Sequence, residues 1–140
     1  MASMLSTSSA AALALLCVAC SGRSDETQGL SAVLAFEPAP HVGQVLCTVT
    51  LTDAAGSPAA CTAVVLEGNM NHAGMVPVFT AAHATGNGQF AGHLEFTMGG
   101  DWLIFTRGRT DDGRAFEVVT ELPGVPNRLN APSTDEASDR

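Results

Sequence analysis

The chain has 140 residues and a net charge of −8 at neutral pH, with 14 acidic side chains against six basic ones, all of them arginine. This charge argues against nucleic acid and anionic lipid surfaces as partners, because both carry the same sign. With an export signal set aside, the remaining length suits one small domain.

The N-terminal segment has the pattern of an export signal. Its uncharged apolar run, residues 10–19, is shorter than the roughly 20 residues that span a bilayer as a helix. The run ends at Val18-Ala19-Cys20, which resembles the lipobox of bacterial lipoproteins, where the cysteine is lipidated and becomes the first mature residue. We therefore expect a signal peptide over 1–19, a lipid anchor on Cys20, and a mature chain on the extracytoplasmic, periplasmic side of the cell envelope. Cys17 and the lack of Lys or Arg before the run depart from the pattern, and a plain secretory signal is the alternative.

The segment after the signal divides into a tether, a β domain and a tail. Residues 20–29 are short, polar and charged, which predicts a tether. Residues 30–122 alternate apolar and polar side chains between Gly-, Pro- and Asn-rich turns, which predicts strands. Residues 123–140 are rich in Pro, Asn, Ser and charge, which predicts a disordered tail. The predicted strands are Leu30–Phe36, Gln44–Thr52, Ala60–Glu67, Val76–Ala82, Gln89–Met98, Trp102–Thr106 and Phe116–Leu122.

Short strands at about 8–12-residue spacing, without helical periodicity, predict an all-β fold. We expect a small immunoglobulin-like antiparallel β-sandwich of about seven strands. Alternation is clearest in Gln89–Met98, where Phe90, Leu94 and Phe96 share one face. Val76–Ala82 is predicted to be an edge strand, because Pro77 has no N–H to donate to a neighbour.

The connection Gly68–Pro77 has an unusual composition for a loop. It carries Met70, His72 and Met75 among glycine, asparagine and proline, although large sulfur side chains normally lie in a core. Thioethers are soft, neutral donors that suit Cu(I), and a neutral imidazole adds a nitrogen ligand. We therefore expect a Cu(I) site here. The alternatives are an adaptable apolar surface for a partner protein, and a loop whose methionines fold back under the sheet.

Further ligands are available elsewhere in the chain. Met98 is a candidate third sulfur ligand, because it precedes Gly99-Gly100, although its place on the face of Phe90, Leu94 and Phe96 favours core packing. His93 alternates with Glu95 on a polar face, which predicts a solvated ring. For His41 and His83 we likewise expect a position outside the metal site.

Cys47 and Cys61 are the only thiols beyond the export signal and its cysteine. Two thiols in an oxidising compartment tend to pair, so we predict a disulfide between them. A buried thiol with a free one, and a thiolate metal site, are the alternatives. Their spacing does not match that of a metal-binding knuckle.

No catalytic motif joins the nucleophiles and bases of this chain. Ser57, the thiols and the four histidines have no spacing that links nucleophile, base and orienting group. Gly86-Asn87-Gly88 is a hairpin turn and not a phosphate-binding loop, since no helix follows it. We therefore predict that the protein is not an enzyme.

Several motifs, taken in order, resemble the YtkA-like domain family, to which FixH-type proteins are also related. The likeness covers residues 35–107. The motifs are the alternating strand Val45–Leu51, Asp53 with Gly56-Ser57-Pro58, the strand Thr62–Leu66, the loop from Met70 to Met75, Gly88-Gln89-Phe90, Leu94–Met98, Gly100 and Trp102. Phe90 stands where the family usually has tyrosine.

The resemblance implies an exported or membrane-anchored β-sandwich. Some family members occur with copper handling and cytochrome oxidase maturation, so it also implies a copper-handling or oxidase-assembly protein as partner. The expected function is Cu(I) binding for delivery or sequestration. A protein-interaction or structural domain without metal, at the cell envelope, is the alternative.

Lipidation at Cys20 is tested by Cys20→Ala. We expect this change to release the protein from membranes or to block its maturation, because it removes the acyl chains that anchor it. Membrane and soluble fractions are compared by immunoblot. A wild-type protein that stays in the soluble fraction would contradict the anchor.

Overall fold

The computed structural model describes residues 29–128, which form eight strands and no helix, so that no helix there could cross a membrane. The strands are β1 (Ser31–Glu37), β2 (Gly43–Thr52), β3 (Cys61–Met70), β4 (Val78–Ala81), β5 (His83–Gly86), β6 (Gln89–Phe96), β7 (Gly100–Thr110) and β8 (Ala115–Val125). Sheet I has the order β1-β2-β6-β5, and sheet II has the order β4-β3-β7-β8. All pairings are antiparallel. The predicted all-β sandwich is confirmed. The signal, Cys20 and most of the tether lie outside the described residues.

The central strands of sheet I follow the alternation of their sequence. In β2, every second side chain from Val45 to Leu51 is fully buried, and the threonines between them are partly exposed. In β6, Phe90, Leu94 and Phe96 are buried in the same way. Burying an apolar side chain of this size contributes roughly 1.5–3 kcal/mol. The hydrophobic alternation therefore fixes which face of sheet I meets the core.

Trp102 of β7 joins the two sheets. Its indole meets the Phe96 ring of sheet I edge to face, with centroids 5.1 Å apart and planes at 77°. Gly68 lies beside it on β3, where a Cβ would come within 2.9 Å of Val78 Cγ2 and 3.4 Å of Trp102 Cε3. A glycine at position 68 therefore leaves the space that the indole fills. Aromatic pairs of this geometry add about 0.5–1.5 kcal/mol beyond their burial.

Of the predicted edge strand Val76–Ala82, residues Val78–Ala81 form β4, which is an edge of sheet II as predicted, whereas β5 begins after the predicted strand and belongs to sheet I. β4 pairs with β3 in sheet II, and β5 pairs with β6 in sheet I. Between them Ala82 is buried, and its N–H donates to the Val64 carbonyl at 2.9 Å. The chain thus crosses from one sheet to the other within a single residue. The segment His83–Gly86 has no apolar alternation that would mark it as a strand, so the sequence predicted about seven strands and not eight.

Strand ends also differ from their prediction. β3 continues through Met70, so the first residues of the predicted loop belong to a strand. β8 continues to Val125, which is buried opposite Gly100, although a disordered tail was predicted from Pro123. Pro123 is tolerated because β8 is an edge strand, and the Gly124 N–H donates to Asp101 Oδ1 at 2.8 Å. The domain boundary predicted at Leu122 is therefore wrong. Residues 129–140 lie outside the described part of the chain.

A buried hydroxyl in sheet II provides a test of the core. Thr106 is fully buried, and its Oγ1 has no hydrogen-bond partner among the described residues. Valine has the same shape without the polar atom, so we expect Thr106→Val to raise the free energy of unfolding by about 1 kcal/mol. Urea denaturation of the purified protein measures the change.

The matched control is Thr48→Val, which replaces a partly exposed threonine of β2. It should change the free energy of unfolding by less than about 0.5 kcal/mol. A Thr106→Val protein that is less stable than wild type would show that the hydroxyl is hydrogen-bonded.

Candidate metal centre

One end of the sandwich carries most of the predicted ligands. We call it the methionine end and define it by the connections 38–42, 71–77 and 97–99, together with residues 126–128. The pairing registers bring these segments together, since Gly43 lies opposite Phe96, Met70 opposite Trp102, and Gly100 opposite Val125. Side chains that are far apart in the sequence therefore lie at the same end of both sheets.

Met70 is the last residue of β3 and faces Gly100. It is partly buried and packs against the core. Its Cε lies 3.1 Å from the position that a Cβ on Gly100 would occupy, and Gly100 has φ +129°, which disfavours other residues. The methyl end of the Met70 side chain thus lies against the backbone at Gly100, in space that the side chain of any other residue would enter.

Met98 lies in the connection between β6 and β7, with 51% of its surface exposed. Core packing, which the sequence favoured for this residue, is wrong, because β6 ends at Phe96 and its alternation does not extend to position 98. The Met98 carbonyl accepts the indole N–H of Trp102 at 3.0 Å. Met70 is paired with the same tryptophan. Trp102 therefore holds the backbone of both methionines.

The 71–77 connection displays the other two predicted ligands. Gly74 has φ +86°, and the Met75 N–H donates to the His72 carbonyl at 3.4 Å, so the chain turns between these residues. His72 is exposed and Met75 is partly buried. Neither Met70 nor Met75 is enclosed in the core, which contradicts a loop with both methionines folded under the sheet.

The remaining histidines divide between two places. His83 on β5 and His93 on β6 are exposed, and by alternation they lie on the outer face of sheet I. His41 instead lies in the 38–42 connection, at the methionine end. The sequence did not predict His41 as a ligand, because its location at the methionine end depends on strand pairing and not on the local sequence pattern.

Residues 29–128 contain no group of three or more His, Cys, Asp or Glu side chains placed to share a metal ion. The candidate ligands at the methionine end are instead mostly thioethers. Thioethers favour Cu(I) over Zn²⁺, Mg²⁺ and Ca²⁺. The donor set therefore fits the metal predicted from the sequence.

The predicted Cys47–Cys61 disulfide is not present in the structure, where both thiols are free. Cys47 lies in the middle of β2 with its side chain in the core, whereas Cys61 begins β3 in the other sheet, opposite Thr110. Burial raises the pKa of the Cys47 thiol to about 12. Burial, and then the charge of Asp111, raise the pKa of the Cys61 thiol. Cys61 and Met70 are the two ends of β3, about 30 Å apart at the usual strand rise.

An ion-pair network lies on the outer face of sheet II. The buried Glu67 contacts Arg107 through Oε2 and accepts the Asn69 side-chain N–H through Oε1 at 2.7 Å. Arg107 also pairs with Glu117 and lies over the Phe105 ring, 4.9 Å from its centroid. Arg107 and Glu117 also line a shallow cavity of about 640 Å³. All of these residues are in β3, β7 and β8, and none is in the connections that form the methionine end.

The fold and this end together define a small all-β sandwich domain that presents thioether and imidazole side chains on its connections. A family model described as YtkA-like matches residues 24–105, more than half of the chain. The chain therefore belongs to the YtkA-like family, and the resemblance seen in its motifs is confirmed. A search of curated proteins and a search of solved structures each found no match.

The two thiols should differ in reactivity. With iodoacetamide at about pH 8 we expect Cys61 of the folded protein to be alkylated, and Cys47 only after unfolding, because thiolate is the reactive form and Cys47 is buried. Peptide mass spectrometry assigns the sites. Asp111→Asn should speed the reaction of Cys61, since loss of the carboxylate lowers its raised pKa. Protection of both cysteines until a reductant is added would show that they form a disulfide.

Proposed function

We propose that this chain is an exported, membrane-anchored domain that binds Cu(I) at the methionine end, for delivery or sequestration. The proposed ligands are Met70, His72, Met75 and Met98. The observation that carries the proposal is the link from Trp102 to two methionines, Met70 by strand pairing and Met98 by a hydrogen bond. This link supports a fixed separation between the backbones of two methionines, one at the end of β3 and one in the 97–99 connection.

The chemistry of these side chains suits copper outside the cytoplasm. A thioether needs no deprotonation and forms no disulfide, so it remains a ligand in an oxidising compartment. His72 would contribute a neutral imidazole nitrogen. The net charge of −8 attracts cations to the domain in general.

The arrangement also supports release of the ion to another protein. His72 and Met98 are exposed, so an incoming ligand can approach the ion from that side, while Met70 is held against Gly100. Exchange would then replace the exposed ligands first. A copper-handling or oxidase-assembly protein is the proposed recipient.

A second candidate function is a contact surface for a protein partner at the cell envelope. Two large apolar side chains of the methionine end, Val76 and Met98, are well exposed, and so is Phe79 of β4, which lies opposite Glu67. Exposed apolar groups of this kind mark interaction sites when they form a contiguous patch. Methionine suits such a surface because its side chain adapts to different partners.

Cu(I) binding is tested by competition with a chromogenic Cu(I) chelator, using the purified full chain. Wild type should remove one equivalent of Cu(I) from the chelator. The combined variant Met70→Leu/His72→Gln/Met75→Leu should lose at least about tenfold in affinity, equal to about 1.4 kcal/mol. Leucine keeps the volume of methionine, so the partly buried position 70 stays packed.

The control is His93→Gln, which removes an exposed imidazole from the outer face of sheet I and should leave the affinity unchanged. Equal, weak competition by wild type and the combined variant would rule out the copper function. A partner surface would tolerate leucine in place of methionine, because both are apolar and of similar size. The same variant therefore separates the two candidate functions.

A further inference from the structure

We infer that His41 is an additional copper ligand at the methionine end, supplying an imidazole nitrogen from the 38–42 connection. This inference rests on the proposed function and extends its ligand set beyond the methionine-containing connections.

The register of sheet I places His41 and Met98 at the same end of that sheet. Gly43, the first residue of β2, lies opposite Phe96, the last residue of β6. His41 is two residues before Gly43, and Met98 is two residues after Phe96. The two residues therefore leave sheet I at the same corner of the methionine end.

Backbone contacts across the end of the sandwich support this placement independently. The Val42 N–H donates to the Pro126 carbonyl at 3.0 Å. The Gly99 N–H donates to Asn127 Oδ1 at 3.3 Å. Val42 directly follows His41, and Gly99 directly follows Met98. Both ligand candidates are therefore next to a residue that is hydrogen-bonded to Pro126 or Asn127, just after β8.

The hydrogen bond of the His41 ring prepares its other nitrogen for a metal. Nδ1 lies 2.9 Å from the Ala39 carbonyl oxygen, which can only accept, so Nδ1 carries the proton of this bond. In the neutral ring Nε2 then has a free lone pair. Histidines that bind metals usually donate their other ring N–H to a carbonyl or carboxylate in this way.

The space around Nε2 depends on Gly43. Nε2 lies 3.7 Å from the position that a Cβ on Gly43 would occupy, and the φ of Gly43 is +122°. A larger residue here would strain the backbone and crowd the ring. The partly buried ring of His41 therefore lies over the start of β2, where β2 meets the end of β6.

A second imidazole changes the chemistry of the proposed site. With His72 alone the donors are three thioethers and one nitrogen. With His41 the candidate donors include two neutral nitrogens, from the 38–42 and 71–77 connections, beside the Met98 sulfur of the 97–99 connection. Imidazole is a good ligand for copper, so loss of His41 should weaken binding without abolishing the thioether contacts.

The experiment combines affinity with a direct view of the ring. In the chelator competition, we expect His41→Gln to lower Cu(I) affinity at least about tenfold relative to wild type, while the control His93→Gln binds like wild type. In long-range ¹H–¹⁵N spectra of the wild-type full chain, Cu(I) should shift the Nε2 resonance of His41 and leave that of His93 in place. The second measurement needs no variant, so it stands even if His41→Gln unfolds.

Each other outcome overturns the inference, and the outcomes show whether the proposed function fails with it. If wild type binds Cu(I) and His41→Gln binds equally well, His41 is not a ligand but the proposed function stands. If affinity falls while the wild-type Nε2 resonance does not respond to Cu(I), His41 has only a structural role. If wild type binds no Cu(I), the inference fails together with the proposed function.

Discussion

The contact between Trp102 and Phe96 is the interaction on which both the core and the candidate site depend. It packs an indole of sheet II edge to face against a ring of sheet I, in a space that Gly68 leaves free. The same indole donates its N–H to the Met98 carbonyl, so the apolar side of the ring stabilises the core while its polar edge fixes the next connection. A tryptophan in this position couples packing of the two sheets to the geometry of the end that they share.

The strands in the middle of each sheet could be predicted because their alternation is long. Val45 to Leu51 in β2 and Phe90 to Phe96 in β6 have the period of a half-buried strand, and they lie where that period indicates. The crossing at Ala82 could not be predicted in this way. β5 lies beyond the apolar run and has no apolar alternation of its own, and the change of sheet is set by which neighbour each segment pairs with, β3 for β4 and β6 for β5.

The candidate site shows the same division between local and distant information. Met70, His72 and Met75 are close in sequence, so composition alone identified them as a group. The exposure of Met98 follows from where β6 stops, and the position of His41 follows from the β2–β6 register, and neither is visible in a local window. The pairing of Cys47 with Cys61 was inferred from their number and compartment, but their side chains belong to different sheets and different depths of the core.

The crossing at Ala82 has a consequence for how the domain behaves when many copies are crowded together. It leaves β4 as an edge of sheet II and β5 as an edge of sheet I, each only four residues long. A long, flat edge strand offers a row of unpaired backbone groups on which another copy can extend the sheet and begin to aggregate. The change of sheet at Ala82 gives each sheet one short edge, with too few backbone groups to hold a neighbouring chain in register, whereas the opposite edges, β1 and β8, are longer.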